Sequence, residues 1–139
     1  MAKKDVAHSV FPSTTAAALT SILTGVWPGQ HGLVGYRVLD PARGILVNQL
    51  TGWESEGLDP ATWQAAPTVF ERARAEGRPT FAVGVAAYAA SGFTRATLRG
   101  AEFVAAQTPA ERVEVAYDLD ALCGCLGGDE LCLLYTSDA

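Results

Sequence analysis

The feature that most constrains the fold is a largely apolar run at residues 80–85, which lies between two segments with helical signals. An apolar run of this length is typical of a strand buried on both faces, as in a parallel sheet. We predict helices over 67–76 and from 108 to about 123, and further strands over 102–105 and 130–135. This alternation indicates βαβ units and an α/β fold with a mainly parallel sheet.

The ends of these two helices carry sequence signals. Pro67 suits the first turn of a helix, where its missing N–H would be unpaired, and Gly77 marks the end. Thr108 and Glu111 have the spacing of a capping box, with Pro109 at the first helical position.

The first half of the chain is predicted to hold one helix and one hairpin. Apolar residues at helical spacing end at Gly25 and predict a helix over about 15–24. Residues 27–32 are rich in turn formers and are predicted to form a loop. Short strands are expected over 36–39 and 45–50, joined by a tight turn. Two further stretches are predicted as a loop anchored by Trp53 (52–60) and as an irregular or short helical segment (88–99).

Length and composition limit the number of domains and the classes of function. The chain has 139 residues, which suits one domain, and 49% are hydrophobic, which is too apolar for a disordered chain. The net charge is −5 and the ten basic residues are dispersed, so we expect no nucleic-acid surface. No apolar run approaches the roughly 20 residues of a membrane helix, and we find no export signal. The sequence leaves the compartment open.

The cysteines do not indicate a disulfide framework or a zinc site. There are three of them, Cys123, Cys125 and Cys132, an odd number with a spacing that does not fit a four-ligand zinc site. We expect plain thiols.

Residues 10–36 hold the most informative pattern. They place the hydroxyls of Ser13, Thr14 and Thr15 at the start of a predicted helix, where free N–H groups favour an anion. Such a hydroxyl can act as a nucleophile when a metal ion lowers its pKa. The simpler interpretation is a helix cap and nothing more.

Three motifs in this segment occur together: Phe11-Pro12-Ser13-Thr14-Thr15, Thr24-Gly25 and Pro28-Gly29-Gln30-His31-Gly32. In order and spacing they resemble the nucleophile region of the type I phosphodiesterase/nucleotide pyrophosphatase family, within the alkaline phosphatase superfamily. Weaker likeness to bacterial members extends the resemblance to roughly residues 9–135. It implies part of an alkaline-phosphatase-like three-layer sandwich with a mainly parallel sheet.

The resemblance also implies a chemistry. Thr15 matches the family's nucleophile, which sits on a pair of metal ions, and Thr14 is the alternative if the match is one residue out of register. The implied cofactors are two divalent cations, zinc being the expected metal, and the implied substrate is a small phosphoester or nucleotide-type molecule. His31 matches a histidine that shapes the loop by hydrogen bonds rather than binding metal. Ala18 stands where the eukaryotic members have a phosphate-binding asparagine, which leaves the substrate open.

Most metal ligands of the family have no counterpart here. We therefore expect residues 1–139 to be one fragment of a catalytic domain, inactive and without tight zinc binding in isolation. Residues 132–139 resemble translated sequencing-adapter read-through, in which case neither Cys132 nor Asp138 is informative. Asp138 is otherwise the candidate for the family's next ligand.

Several alternatives remain open. The parent enzyme could be a phosphomonoesterase or phosphomutase of the same superfamily, and the chain could instead be a non-catalytic α/β binding module. Three arginines (Arg37, Arg95 and Arg99) could contact a phosphate, or could lie on the surface, solvated or in salt bridges. Tyr88 and Phe93 could line a substrate pocket or pack in the core.

Overall fold

The computed structural model describes residues 8–126 and 131–134, with side chains over 8–121. Its elements are, in chain order, α1 (Thr15–Thr24), α2 (Pro28–His31), β1 (Arg37–Asp40), β2 (Ile45–Asn48), α3 (Pro60–Trp63), α4 (Val69–Ala75), β3 (Thr80–Gly84), a 3-10 turn (Ala86–Tyr88), α5 (Gly92–Thr97), β4 (Glu102–Ala105), α6 (Pro109–Leu126) and β5 (Leu131–Leu134).

The second half of the chain forms the predicted parallel sheet. The strand order is β4-β3-β5, and Ala82 of β3 is in register with Phe103 of β4 and Leu133 of β5. Ala82 and Val83 are both fully buried. Because successive residues of a strand point to opposite faces, both faces of β3 are covered. Helix α4 contacts β3, and α6 contacts β3 and β5, which is consistent with the expected three-layer arrangement.

The predicted hairpin is also present. β1 and β2 pair antiparallel, with Asp40 opposite Ile45 at the turn. The second strand is shorter than the predicted 45–50 and ends at Asn48. Its side-chain oxygen accepts hydrogen bonds from the N–H groups of Leu50 and Thr51, at 2.9 and 3.0 Å, which turns the chain out of the strand.

The helix predicted over 67–76 begins later than expected. Thr68 is its N-cap and forms a capping box with Glu71, so Pro67 precedes the helix instead of occupying its first turn. Two single-turn helices were not predicted. Residues 27–32 contain α2 in place of a loop, and α3 follows the cap residue Asp59.

The remaining predicted elements are confirmed within one to three residues. The segment 88–99 contains α5, and β4 spans the predicted residues. The capping box that begins α6 is formed, since the Glu111 N–H donates to Thr108 Oγ1 at 3.1 Å. The outer residues of the strand predicted over 130–135 lie outside the described residues.

Buried side chains form two clusters that meet at α1. One contains Trp53 and Phe93 and lies between α1, the hairpin and α5. The other contains Leu23 and Phe70 and packs α1 and α4 against β3. Half-buried Leu19 contacts both clusters, so α1 is held from two sides. Within the described part of the chain, the helices are all too short or too polar to cross a membrane.

Candidate functional site

Thr14 and Thr15 have different roles at the start of α1. Thr14 is the N-cap, and its hydroxyl accepts a hydrogen bond from the Ala17 N–H at 3.3 Å. Thr15 is the first helical residue and is partly exposed. Among the described residues its hydroxyl has no hydrogen-bond partner, so the one group is engaged in capping and the other is free.

Helix α1 is held in place by buried residues that follow Thr15. Ala16 and Ala17 are fully buried, and the hydroxyls of Thr20 and Thr24 donate to carbonyls one turn earlier, at 2.6 and 2.7 Å. These bonds satisfy buried hydroxyls inside the helix itself. The start of the helix is therefore positioned by packing on the residues immediately after Thr15.

His31 shapes the segment after α1 by hydrogen bonds, as expected. It is 1% exposed, its Nε2 lies 2.9 Å from Ser21 Oγ, and its Nδ1 accepts the Leu33 N–H at 3.1 Å. Burial lowers the pKa of His31 below its ordinary value, and this outweighs the opposing effect of the Ala17 carbonyl. The ring is thus an internal, neutral bridge between α1 and the following loop.

Thr15 borders a cavity of about 400 Å³. Its lining also includes residues 91–94 at the start of α5, together with Tyr36 and Tyr88. The segment after β2 completes the lining with Leu50, Thr51, Trp53 and Glu54. The fold thus brings four other segments of the chain to the cavity that the partly exposed Thr15 borders.

Trp53 is the fixed part of this wall. Its side chain is 1% exposed, and its Nε1–H donates to the Gln49 carbonyl at 2.9 Å. A Cβ atom on Gly92 would lie 2.1 Å from the Trp53 Cβ, so α5 approaches this close because residue 92 is glycine. The prediction that Trp53 anchors its loop is confirmed.

Tyr88 and Phe93, which the sequence placed either in a substrate pocket or in the core, differ in their position. Phe93 is 6% exposed and belongs both to the core and to the cavity wall. Tyr88 is 38% exposed and lines the cavity. Sequence reasoning missed Tyr36 and Glu54, which lie in the hairpin edge and the following loop without any motif that marks them.

None of the three candidate arginines lines the cavity beside Thr15. Arg99 pairs with Glu71 at 3.2 Å and donates to the carbonyls of Gln64 and Ala66, so its guanidinium joins α3, α4 and α5. Arg37 is exposed on β1, and Arg95 is exposed in a neighbouring depression. The salt-bridge interpretation is confirmed for Arg99.

The described residues do not by themselves form a metal centre. Within the described residues, His, Cys, Asp and Glu side chains do not come together in any group of three or more that could hold a metal ion. Thr15 borders the same cavity as one carboxylate residue, Glu54. A two-metal site requires more ligands than these two residues provide. The side chains of the three cysteines, and Asp138, lie outside the described residues.

Comparison with known proteins gave one family. The model of the type I phosphodiesterase / nucleotide pyrophosphatase family matches residues 2–122, which is most of the chain. Neither the curated proteins nor the solved structures gave a significant match.

Proposed function

This chain belongs to the type I phosphodiesterase/nucleotide pyrophosphatase family, and on that basis we propose that it carries the nucleophile of a phosphodiester hydrolase, with Thr15 attacking phosphorus. The family supports a hydrolase of the phosphodiesterase or pyrophosphatase type. The observation that supports this residue is the difference between the two threonines at the start of α1. Thr14 caps the helix, whereas Thr15 borders a cavity and its hydroxyl has no hydrogen-bond partner among the described residues.

The proposed reaction has two steps. Thr15 Oγ1 forms a bond to phosphorus, the bond from phosphorus to the leaving alcohol oxygen breaks, and the hydroxyl proton goes to that alcohol. Water then attacks the phosphorus of this threonyl phosphodiester, the bond from phosphorus to Thr15 Oγ1 breaks, and the phosphomonoester that keeps the second organic group is released. A proton from the attacking water restores the Thr15 hydroxyl. The start of α1 would favour the developing negative charge because the N-terminus of a helix carries partial positive charge.

The cavity beside Thr15 offers room for an organic group of the substrate. About 400 Å³ of largely apolar space adjoins Thr15. Both a monoester and a diester carry an organic group that could lie there, so the choice between them rests on the family, which is one of phosphodiesterases and nucleotide pyrophosphatases. On that basis we propose a phosphodiester or pyrophosphate bond as the substrate class.

We propose that two divalent cations, zinc being the expected metal, complete this site in the active enzyme. The described residues do not suffice to hold them, so the remaining ligands would come from outside the described part of the chain. When bound, the ions would supply positive charge to the reacting oxygens.

The test is a pair of substitutions in the protein expressed from its complete gene and supplied with Zn²⁺. Thr15→Ala is expected to lower kcat on a phosphodiester by about a thousandfold or more, and Thr15→Ser to retain measurable turnover because a hydroxyl remains. Thr14→Ser, which keeps the cap, is the matched control and should remain near wild type. Full activity of Thr15→Ala would remove Thr15 from the proposed role.

A further inference from the structure

The loop between α2 and β1 carries Tyr36, one of the residues that line the cavity beside Thr15. This loop, residues 32–36, belongs to no helix or strand that could pair its backbone groups. Tyr36 is 49% exposed, and among the described residues its hydroxyl has no hydrogen-bond partner. The position of its ring therefore depends on what holds the backbone of the loop.

Gln49 is the residue that holds this loop. Its side-chain Oε1 accepts the N–H groups of Val34 and Gly35, at 2.9 and 3.2 Å, and its Nε2 donates to the Gly32 carbonyl at 2.8 Å. Among the described residues, these two N–H groups have no other partner. One side chain thus supplies hydrogen bonds that the loop would otherwise lack.

The backbone of Gln49 contacts two further parts of the cavity wall. Its N–H donates to the Tyr36 carbonyl at 2.8 Å, and its carbonyl accepts the Trp53 Nε1–H at 2.9 Å. Gln49 is fully buried and does not itself line the cavity. It therefore influences the cavity through the residues that it holds, without contact to a ligand.

The pattern of these bonds requires an amide at position 49. Two N–H donors lie against Oε1 and one carbonyl lies against Nε2, so the partners determine the orientation of the side-chain amide. Leucine has a similar size but would leave all three backbone groups without a partner. Glutamate would keep the acceptor but would place a carboxylate oxygen against the Gly32 carbonyl, where repulsion replaces a hydrogen bond.

We propose that Gln49 is a positioning residue for substrate binding, whose side-chain amide holds Tyr36 at the cavity wall and so sets how tightly an organic group of the substrate is bound. This inference rests on the proposed function, since it assumes that the phosphorus lies at Thr15 and an organic group in the cavity. A residue with a purely structural role would change the stability of the protein, but not the preference of the cavity for a large group over a small one.

The test measures binding of two phosphinates to the protein expressed from its complete gene and supplied with Zn²⁺. Diphenylphosphinate carries two rings on P–C bonds that hydrolysis does not break, and dimethylphosphinate has the same charge without the rings. The variants are Gln49→Leu and Gln49→Glu. Gln64→Leu is the matched control, because Gln64 is equally buried but donates to the Ala96 carbonyl at 3.2 Å, and neither of these two residues lines the cavity.

Wild type is expected to bind diphenylphosphinate about tenfold more tightly than dimethylphosphinate, because a ring can pack against Tyr36. Both Gln49 variants should weaken diphenylphosphinate binding about five- to tenfold and dimethylphosphinate binding less than about twofold. Gln64→Leu should leave the ratio of the two affinities unchanged. In protein that already carries Tyr36→Ala, Gln49→Glu should have no further effect on this ratio.

Hydrogen exchange of wild type gives a measurement that does not depend on whether the variants fold. If the position of the loop and the binding of the ring are coupled, saturating diphenylphosphinate should slow exchange of the Val34 and Gly35 amides about tenfold. Saturating dimethylphosphinate should leave these exchange rates unchanged.

The proposal is overturned by equal affinity of wild type for the two phosphinates or by binding of neither. It is also overturned by a wild-type ratio in a folded Gln49 variant, or by exchange at Val34 and Gly35 that diphenylphosphinate does not slow. Full activity of Thr15→Ala, with the wild-type ratio and its dependence on Gln49 retained, would instead refute the proposed function alone.

Discussion

Ser21 Oγ and His31 Nε2 lie 2.9 Å apart in the buried contact between α1 and α2. Because Nδ1 of the same ring accepts the Leu33 N–H at 3.1 Å, the neutral ring carries its proton on Nε2 and donates it to Ser21. One side chain thus joins the helix that begins with Thr15 to the loop that leads to the hairpin.

This bridge predicts a pH-dependent stability. The pKa of His31 is lowered by burial, so the unfolded chain takes up a proton at a higher pH than the folded chain does. The contribution of His31 is fully present above its ordinary value of 6.5 and is lost as the pH falls from there toward the folded pKa. Urea unfolding at pH 7.5 and 5.5 should show the wild type losing more stability than His31→Gln, and equal losses would contradict the assignment.

Loss of the bridge itself should also be costly. At pH 7.5, His31→Gln is expected to lower the free energy of unfolding by about 2 kcal/mol, because the buried partners lose well-placed bonds. His8 is exposed, so His8→Gln is the control and should change the stability by less than about 0.5 kcal/mol.

The contact between Gly92 and Trp53 predicts a steric effect. In Gly92→Ala the new methyl group would lie 2.1 Å from the Trp53 Cβ, so α5 or the indole must move. We expect a loss of about 1–3 kcal/mol in the free energy of unfolding, together with weaker binding in the cavity. A Cβ on Gly29 meets no atom within 4 Å, so Gly29→Ala should be nearly neutral, and equal effects of the two substitutions would refute the packing argument.

Arg99 gives a further stability prediction. Its guanidinium donates to the Gln64 and Ala66 carbonyls at 2.7 and 2.9 Å, and its ion pair with Glu71 is only partly exposed. Burial raises the pKa of Glu71, but the Thr68 N–H and Arg99 outweigh this and hold that pKa below its usual range. Arg99→Gln should lower the free energy of unfolding by about 2 kcal/mol.

The matched control for Arg99 lies on the neighbouring helix. Arg74 is exposed on α4, and its replacement by glutamine removes the same charge with an expected change of less than about 0.5 kcal/mol. Chemical denaturation of both variants would decide the matter, and similar midpoints for the two would show that the Arg99 bonds contribute little.

Much of the framework could be predicted from local signals. The buried run at β3, the helical spacing of α1 and the capping box of α6 each depend on residues close together in the chain, and all three elements are present. The predicted N-terminal boundary of α4 was wrong, because Pro67 was expected in the first helical turn. Thr68, with its partner Glu71, is instead the N-cap, so the helix begins after it. In α3, Asp59 and Pro60 are a recognisable start signal that was read as loop.

The cavity was harder to predict than the helices and strands. Its walls come from five segments that are separated along the chain, so the sequence does not show that they lie close together. The close approach of α5 to Trp53 depends on the glycine at position 92. Glu54 carries no sequence signal, because an exposed loop carboxylate is the commonest kind of surface residue. The role of Thr15 as nucleophile stays a prediction.

Metal binding gives a prediction for the 139-residue chain itself. Because the described residues do not gather three metal-ligating side chains, we expect calorimetric titration with Zn²⁺ to show no tight, stoichiometric binding. The same titration after Thr15→Ala should be indistinguishable from wild type. Tight binding of one or two equivalents of Zn²⁺ would show that the remaining residues complete a site.

The central claim is that the Thr15 hydroxyl becomes bonded to phosphorus. The most direct measurement is acid quenching of the protein, expressed from its complete gene and turning over a phosphodiester, followed by mass-spectrometric mapping of any threonine that carries phosphate together with the retained organic group of the substrate. We predict this adduct on Thr15 and its absence from Thr15→Ala. The adduct on Thr14, or full turnover without any threonyl adduct in this segment, would contradict the assignment.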